Sequence, residues 1–318
     1  MIYSIVIPIL NEVETLPVLV GRLQAALAPV SEDYEIVFTD DGSTDGSAAW
    51  LERANALDSR VKCVCLSRNF GLGAAVSAGL AEAQGDTVVL MDGDLQDPPE
   101  LIPDLLARLA EGFDVVYAIK RSRRESFTKR LAFNAFYRLQ SWLSSEPMPR
   151  NAGNFSAMRR PVVEAILALP ERNRYVSGLR AWTGFRQVGL EFDRPARHAG
   201  APRQTLSRLL RLALDGLFAF SYVPARLATV FGLICVSGSL VGVSIVLYKK
   251  FVSHVAITGW TSQLLATLLI GSVQLLCIGI LGEYAARIYD EVRRRPAYIV
   301  ARRIGDTESG RRENQRDA

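Results

Sequence analysis

Cysteine and histidine are both scarce in this 318-residue chain, with four of the first and two of the second. No Cys-x-x-Cys pair exists: Cys63 and Cys65 alternate on a strand-like run, and Cys235 and Cys277 lie inside apolar stretches. That excludes a disulfide framework, a zinc ribbon and a dithiol redox motif, and it fits reduced thiols in a cytosol-facing protein. His198 and His254 have no metal-ligand spacing, and no Ser-His-Asp arrangement has support. The net charge is only +4, too small to argue for nucleic acid as a partner. Ile2–Leu10 is apolar, but no basic residues precede it and Asn11 and Glu12 cut it off; this is too short for a signal-peptide core, and a buried first strand is expected instead. Apolar residues are plentiful, 49% against 22% charged, which excludes a disordered chain. They are unevenly spread. The first two hundred residues read like an α/β enzyme, and the stretch after Ala225 is largely apolar.

Residues 3–118 alternate short β-branched runs with helical stretches. Tyr3–Ile9, Glu35–Thr39, Val61–Leu66, Thr87–Met91 and Val115–Ala118 read as buried strands. Glu14–Ala28, Ser47–Leu57, Ala74–Ala83 and Glu100–Glu111 carry apolar residues at helical spacing. This alternation predicts an α/β fold with a mainly parallel sheet covered on both faces. Ser43, Thr44 and Asp45 supply cap chemistry before one helix, and Asp97-Pro98-Pro99-Glu100 opens another. Ligands of such sheets bind beyond the carboxyl ends of the strands, where the polar clusters 40–45 and 92–97 fall. Farther on, Ser126–Leu143 predicts a basic amphipathic helix and Asn151–Met158 a polar, glycine-containing stretch. Pro161–Leu169 predicts a short helix, Phe185–Asp193 a strand, and residues 195–205 a loop.

Two membrane candidates follow. Leu227–Tyr248 and Trp260–Gly282 contain no charged residue, and each is about long enough to cross a ~30 Å hydrocarbon core at 1.5 Å per residue. The connector Lys249–Gly259 permits an antiparallel hairpin. Leu206–Phe220 before it and Glu283–Arg295 after it suit helices lying in the interface. The alternative is a buried helical hairpin of a soluble domain; two uncharged stretches of spanning length favour the membrane. Arg208, Arg211, Arg226 and Arg293–Arg295 flank the pair, against Lys249 and Lys250 in the connector, which puts both termini in the cytoplasm. Gly232, Ser237, Gly238, Ser239 and Gly242 permit close helix approach and hence a homo-oligomer. The expected organisation is a catalytic domain over 1–204, an interfacial helix over 205–224 and a transmembrane hairpin within 225–282. A second interfacial helix and the start of the tail occupy 283–304, and a disordered polar tail covers 305–318.

The strongest local signal is Met91-Asp92-Gly93-Asp94-Leu95-Gln96-Asp97-Pro98-Pro99-Glu100. Two carboxylates separated by one glycine, just past a buried strand, form a hard-oxygen site of the kind Mg²⁺ and Mn²⁺ choose. Such an ion neutralises a diphosphate leaving group. A second acidic turn, Thr39-Asp40-Asp41-Gly42-Ser43-Thr44-Asp45, ends the preceding strand but one. There Asp41 has the chemistry to accept from a nucleobase N–H, and Asp40 to bind a ribose hydroxyl. Taken alone, each turn is equally a solvated turn with a helix cap. The third piece is Pro8-Ile9-Leu10-Asn11-Glu12, and the fourth is Arg68-Asn69-Phe70-Gly71-Leu72-Gly73 followed by Ala78-Gly79. The glycines of the last do not fit G-x-G-x-x-G and follow the third strand, which excludes a Rossmann dehydrogenase.

In order over the first hundred residues, these four pieces resemble glycosyltransferase family 2, and within it the polyprenyl-phosphate glycosyltransferases related to dolichol-phosphate mannose synthase. The resemblance continues through Val116-Tyr117-Ala118, Leu169-Pro170-Glu171-Arg172, Trp182–Gln187, Asp215-Gly216 and Gly282-Glu283-Tyr284. The two-span tail is most similar to bacterial undecaprenyl-phosphate sugar transferases. The resemblance implies a GT-A fold, a nucleotide-sugar donor with UDP slightly favoured over GDP, and Mg²⁺ or Mn²⁺. It further implies a polyprenyl phosphate acceptor and a multi-pass protein of the bacterial inner membrane with a cytoplasmic catalytic domain. Carried over residue by residue, Asp92, Asp94 and Gln96 surround the metal and diphosphate. Pro8, Leu10, Glu12, Asp40 and Asp41 line the nucleoside pocket. Lys120 and Arg121 extend the donor site, and Arg123, Lys129, Arg130 and Arg203 hold the acceptor phosphate.

Three departures stand out. Lys120 occupies a position where the family has an arginine, so the charge stays and the bidentate fork is lost. Gly153-Asn154-Phe155-Ser156-Ala157 stands where the family pattern is Gly-Asp-Phe-Arg-Leu, and Asn154 is no base. Arg203 takes the place of a lysine in the loop after Gly200. A phosphate monoester acceptor, with a second pKa of about 6, is already largely dianionic at pH 7 and needs positioning more than deprotonation. The reading is therefore an active inverting transferase with Asp94, Asn154 and Arg203 at the reacting centre. Its rivals are a catalytically silent membrane scaffold subunit, which Asn154 motivates, and a polysaccharide synthase, which lacks its Gln-x-x-Arg-Trp motif here.

Overall fold

The computed structural model of the chain describes residues 3–120, 152–171, 174–192 and 259–305, with isolated helical positions between Val230 and Tyr248. The chain divides into two units; of the described residues, those up to 192 and from 295 onward belong to the first, and those from 230 to 294 to the second.

The first unit is built on an eight-stranded sheet of order β7-β5-β6-β4-β1-β2-β3-β8. Its strands are β1 (Tyr3–Ile9), β2 (Tyr34–Asp40), β3 (Val61–Leu66), β4 (Thr87–Leu90), β5 (Val115–Lys120), β6 (Ala152–Arg159), β7 (Gln187–Phe192) and β8 (Val300–Ile304). β6 and β8 run against the others. The helices are α1 (Leu16–Leu27), α2 (Ser47–Leu57), α3 (Leu72–Glu82), α4 (Ile102–Ala110, entered through a 3₁₀ turn at Pro99–Leu101), α5 (Arg160–Ala168) and α6 (Val176–Trp182). Alternation along β1 sends Ile5, Ile7 and Ile9 to one face with α1, α2 and α4, and Val6 to the other with α3, α5 and α6. Both faces are thus covered, as the near-continuous apolar runs of the central strands require.

From β1 the chain winds outward through β2 and β3, then returns to place β4 on the other side of β1. The crevice at this reversal, between the carboxyl ends of β1 and β4, is where such a sheet takes its ligand. Gly79 makes the return possible. A Cβ there would lie 2.5 Å from Val6 Cγ1 and 2.6 Å from Thr39 Oγ1, so only glycine lets α3 sit this close to β1 and β2.

The structure refines three sequence expectations. Asn151–Met158, read as a polar stretch, is mostly strand β6; Phe155, Ala157 and Met158 are buried, and the polar residues between them lie within the sheet. The cap chemistry differs too. The residue before α2 is Gly46, at φ 93°, and Asp45 instead accepts from Ser47 N–H at 2.9 Å and from Val13 N–H at 2.9 Å. Finally, the helix expected from Glu283 is the end of a longer one, and the start of the tail holds a strand. Glu283–Val292 continue the preceding helix, Arg294 turns into the left-handed region at φ 49° ahead of Pro296, and Val300–Ile304 become β8.

In the second unit, α7 (Trp260–Val292) is 33 residues long. Within it Leu269–Ala286 has a mean hydropathy of 1.6 with none of that window buried, so this helix is long and apolar enough to cross a membrane. Most of Leu227–Tyr248, the helix expected over 126–143, the loop 195–205, Leu206–Phe220 and the tail beyond Gly305 lie outside the described residues.

Candidate active site

Three turns meet at the crevice. After β1, Asn11 adopts φ 56°, a conformation asparagine tolerates. Its Oδ1 accepts from Thr44 N–H at 2.8 Å, and its own N–H donates to Ser43 Oγ at 2.8 Å. Glu12 N–H donates to Ser47 Oγ at 3.2 Å. The segment carrying Pro8, Leu10 and Glu12 is thereby laced to the turn after β2. In that turn Asp40 Oδ1 accepts from Ser43 N–H at 2.8 Å. Asp41 is almost fully buried, and its two oxygens accept from Phe70 N–H at 2.7 Å and Gly71 N–H at 2.9 Å. Burial pushes the Asp41 carboxyl above its ordinary range, against the pull of those two N–H groups. Gly42, at φ +79°, permits the contact; a Cβ there would sit 2.7 Å from the Arg68 carbonyl carbon and 2.8 Å from Asn69 N.

After β4, Asp92-Gly93-Asp94 turns against β1. A Cβ on Gly93 would meet Ile9 Cγ2 at 3.0 Å, so the small residue between the two aspartates lets this turn close onto the end of β1. Asp97 Oδ2 accepts from Asp92 N–H at 3.2 Å, which makes it a brace of the turn rather than a helix cap. Asp94 Oδ1 accepts from Gln96 N–H at 3.1 Å. Between them Leu95 is held at φ 60°, a region that costs a leucine about 1–2 kcal/mol. Burial of its side chain, only 3% exposed, offsets that strain.

β6 completes the site because it runs backwards. An antiparallel neighbour brings its first residues to the end where β4 finishes, and the register Leu90↔Ser156 carries Asn154 beside Asp92. Asn154 Nδ2 lies 3.5 Å from Asp92 Oδ1, at the outer limit for a hydrogen bond, and Asn154 Oδ1 accepts from Ser177 Oγ at 3.0 Å. Two residues that the sequence reading missed therefore support this corner, both on α6 and one turn apart. Ser177 orients the Asn154 amide. Arg180, 1% exposed, donates to Gly153 O at 3.4 Å and lies with its guanidinium carbon 5.0 Å from the centre of the Tyr117 ring. Burial pushes the Arg180 pKa down to about 10, which still leaves it cationic at neutral pH, and its Nε and Nη2 make no hydrogen bond among the described residues. Neither residue announces itself in the sequence, since neither belongs to a motif at a strand end.

Of the residues expected at the site, Pro8, Leu10, Glu12, Asp40, Asp41, Asp92, Asp94, Gln96 and Asn154 fall at this end of the sheet, and Lys120 is the last residue of β5. Arg121, Arg123, Lys129, Arg130 and Arg203 lie outside the described residues. Among the described residues no three acidic, histidine or cysteine side chains gather as a ready metal cage. The donor set nevertheless fits a hard divalent ion, which takes one or two protein carboxylates and fills its remaining positions with phosphate oxygens and water.

Residues 4–167 match the family described as glycosyl transferase family 2. The chain belongs to glycosyltransferase family 2. Its doubly wound sheet is the GT-A version of the α/β architecture. Among relatives, the Synechocystis glycosyltransferase sll0501 is 42% identical over 94% of this chain and 94% of its own length. The SfII prophage-derived bactoprenol glucosyl transferase of Shigella flexneri is 38% identical over 93% of this chain and 96% of its own. Among solved structures, glucosyl-3-phosphoglycerate synthase from Mycobacterium tuberculosis with Mn²⁺, UDP-glucose and phosphoglyceric acid is 25% identical. It covers 68% of this chain and 78% of that one with a TM-score of 0.47.

Proposed function

We propose that this glycosyltransferase moves a sugar from a nucleotide diphosphate sugar, with UDP favoured, to a polyprenyl phosphate of the undecaprenyl type at the cytoplasmic face of a bacterial membrane. The observation that carries the reading is the meeting of the Asp92–Asp94 turn, Asp41 and Asn154 at the switch point of the sheet. Relatives named bactoprenol glucosyl transferase, similar over nearly the whole chain, support a polyprenol-linked acceptor.

In this reading the acceptor phosphate dianion is itself the nucleophile. One of its oxygens attacks the anomeric carbon from the face opposite the nucleotide. The new carbon–oxygen bond forms as the bond to the diphosphate breaks, and the nucleoside diphosphate leaves with the electron pair. The configuration inverts in that single displacement, and no protein base is consumed, so asparagine at position 154 is compatible with turnover. Asn154 donates to an approaching phosphate oxygen, and Ser177 keeps the amide turned so that Nδ2 faces the reacting centre. Arg180 adds a fixed positive charge beneath Gly153, where anionic groups gather. Asp92, Asp94 and Gln96 would hold a divalent ion, which when bound would supply positive charge to neutralise the departing diphosphate. Asp40 and Asp41 face the nucleoside side. Lys120 and Arg121 serve the donor phosphates, and Arg123, Lys129, Arg130 and Arg203 the acceptor phosphate. The helix α7 and the apolar stretch before it anchor the enzyme where its lipid acceptor resides, and a homo-oligomer is compatible with their small residues.

Purified full-length protein with Mn²⁺ or Mg²⁺, undecaprenyl phosphate and radiolabelled UDP-glucose, then other nucleotide sugars, tests this directly. Label should enter an organic-soluble, mild-acid-labile product. If no donor yields one while nucleotide and lipid both bind, the reading falls to the silent-scaffold alternative, which Asn154 motivates.

A further inference from the structure

The edge of the sheet beyond β3 is closed by residues that come after α7 in the chain. Val300–Ile304 pair antiparallel to β3, from Cys63↔Ile304 to Leu66↔Val300. Just past the strand end, Ser67 N–H donates to Ile299 O at 2.9 Å. Tyr298 and Val300 pack with Phe70 onto one small cluster of Val64, Leu66, Ala75 and Ala78. Ion pairs from Arg302 to Glu52 at 3.3 Å and from Arg303 to Glu82 at 3.0 Å hold the strand to α2 and α3. An exposed strand edge needs cover, which is reason enough for some strand here. This one does more, because its first residue lies beside the turn 67–71.

That turn is the one whose Phe70 and Gly71 N–H groups hold the two oxygens of Asp41. It also lies against Gly42, which tolerates no Cβ between the two turns. The path from the C-terminal strand to the nucleoside side of the crevice is thus continuous: Ile299 and Tyr298 fix the backbone and packing of 67–71, and 67–71 fixes Asp41. We propose that residues 298–304 are a positioning element for nucleotide binding, so that a segment following the apolar helix in sequence sets the affinity of the catalytic unit for a nucleoside diphosphate. This rests on the reading that Asp41 faces the nucleotide.

The test uses full-length protein in detergent, UDP titrated calorimetrically with Mn²⁺ present, and hydrogen exchange at the Phe70 and Gly71 amides. The double variant Tyr298→Ala/Val300→Ala should lose exchange protection at those two amides. Its UDP affinity should fall by about 2- to 30-fold, the range for coupling through packed neighbours. The KM for donor should rise by the same factor while the KM for lipid phosphate stays put, and Tyr298→Phe, which keeps the packing ring, should recover binding. A chain ending at residue 296 should show a larger loss, reversed by a synthetic peptide spanning residues 296–306. If that truncated chain does not fold, the point variants decide. Wild-type protein that binds no nucleoside diphosphate sinks the functional reading itself. Wild-type binding with equal UDP affinity in the double variant, or a parallel rise of both KM values, overturns the positioning role.

Discussion

Restoring a carboxylate at position 154 tests the geometry of the reacting corner more sharply than removing the amide does. Asn154 Nδ2 is 3.5 Å from Asp92 Oδ1, so Asn154→Asp sets two like charges about that far apart. At this distance they repel by about 1 kcal/mol at the dielectric of water and about 5 kcal/mol at an effective constant of 20. Both side chains are only half-buried, so solvent screening keeps the cost toward the lower part of that range, about 1–3 kcal/mol. Without metal the variant should therefore melt below the parent. A divalent ion reverses the sign, since a third carboxylate now faces it. Mn²⁺ affinity should rise by about 5- to 150-fold, the equivalent of 1–3 kcal/mol. In differential scanning fluorimetry the upward shift on adding MnCl₂ should then exceed the parent's by about 2–10 °C for a domain of this size. The companion variant Asn154→Ala removes only a donor to charged groups, worth about 1.5–3 kcal/mol, so transfer should slow by roughly ten- to hundred-fold without stopping. An Mn²⁺ shift identical in parent and Asn154→Asp would refute the placement of residue 154 beside the ion. An Asn154→Ala enzyme as fast as the parent would remove it from the acceptor as well.

Other perturbations follow from the same framework. Asp92→Asn and Asp94→Asn should each abolish sugar transfer while leaving the melting temperature within a few degrees of the parent; retention of most activity by either, with Mn²⁺ present, would sink its metal role. Gly42→Ala forces a side chain into the left-handed region against the Arg68 and Asn69 backbone, 2.7 and 2.8 Å away. The conformational cost of about 1–2 kcal/mol adds to an overpacking cost of about 1–3 kcal/mol, so both thermal stability and UDP affinity should drop, and an unchanged melt would contradict the tight apposition of the two turns. Glu35, buried and bonded to Ser4 Oγ at 2.5 Å, Gln84 N–H at 2.7 Å and Lys62 Nζ at 2.7 Å, has its carboxyl held below the ordinary range by these partners in spite of burial. A folded pKa below the unfolded one means that the folded state binds this proton less tightly. The stability from this site is then complete at neutral pH and is lost as pH falls through the carboxylate range. Glu35→Gln should accordingly flatten the acid side of a melting-temperature profile, and an acid limb as steep as the parent's would show that Glu35 does not drive it.

Much of the site was legible because its residues sit in short runs at strand ends. Asp92, Asp94 and Asp41 each follow a β-branched stretch, and residue type with position suffices to mark a turn that bears carboxylates. Asn154 was legible only through family resemblance, since the polar residues around it disguise a strand whose other side chains are buried. Ser177 and Arg180 were illegible. A serine and an arginine in a short helix carry no pattern, and their roles come from a β6–α6 contact between segments more than twenty residues apart.

The hydrophobic period of residues 3–118 sufficed to determine the strands, the helices between them and the α/β class, because each element buries a face whose spacing is written locally. Local pattern has no access to strand order, direction or the pairing of distant segments. That β4 returns beside β1 rather than extending past β3, that β6 runs backwards and so carries Asn154 to Asp92, and that Val300–Ile304 join the sheet are outcomes of packing. The last case shows the physical reason most plainly. Val300-Ala301-Arg302-Arg303-Ile304 is too short, with two adjacent arginines at its centre, to declare itself a strand. It becomes one because β3 offers an unpaired edge, Glu52 and Glu82 stand ready for its arginines, and Val300 and Ile304 find apolar surface at the two ends.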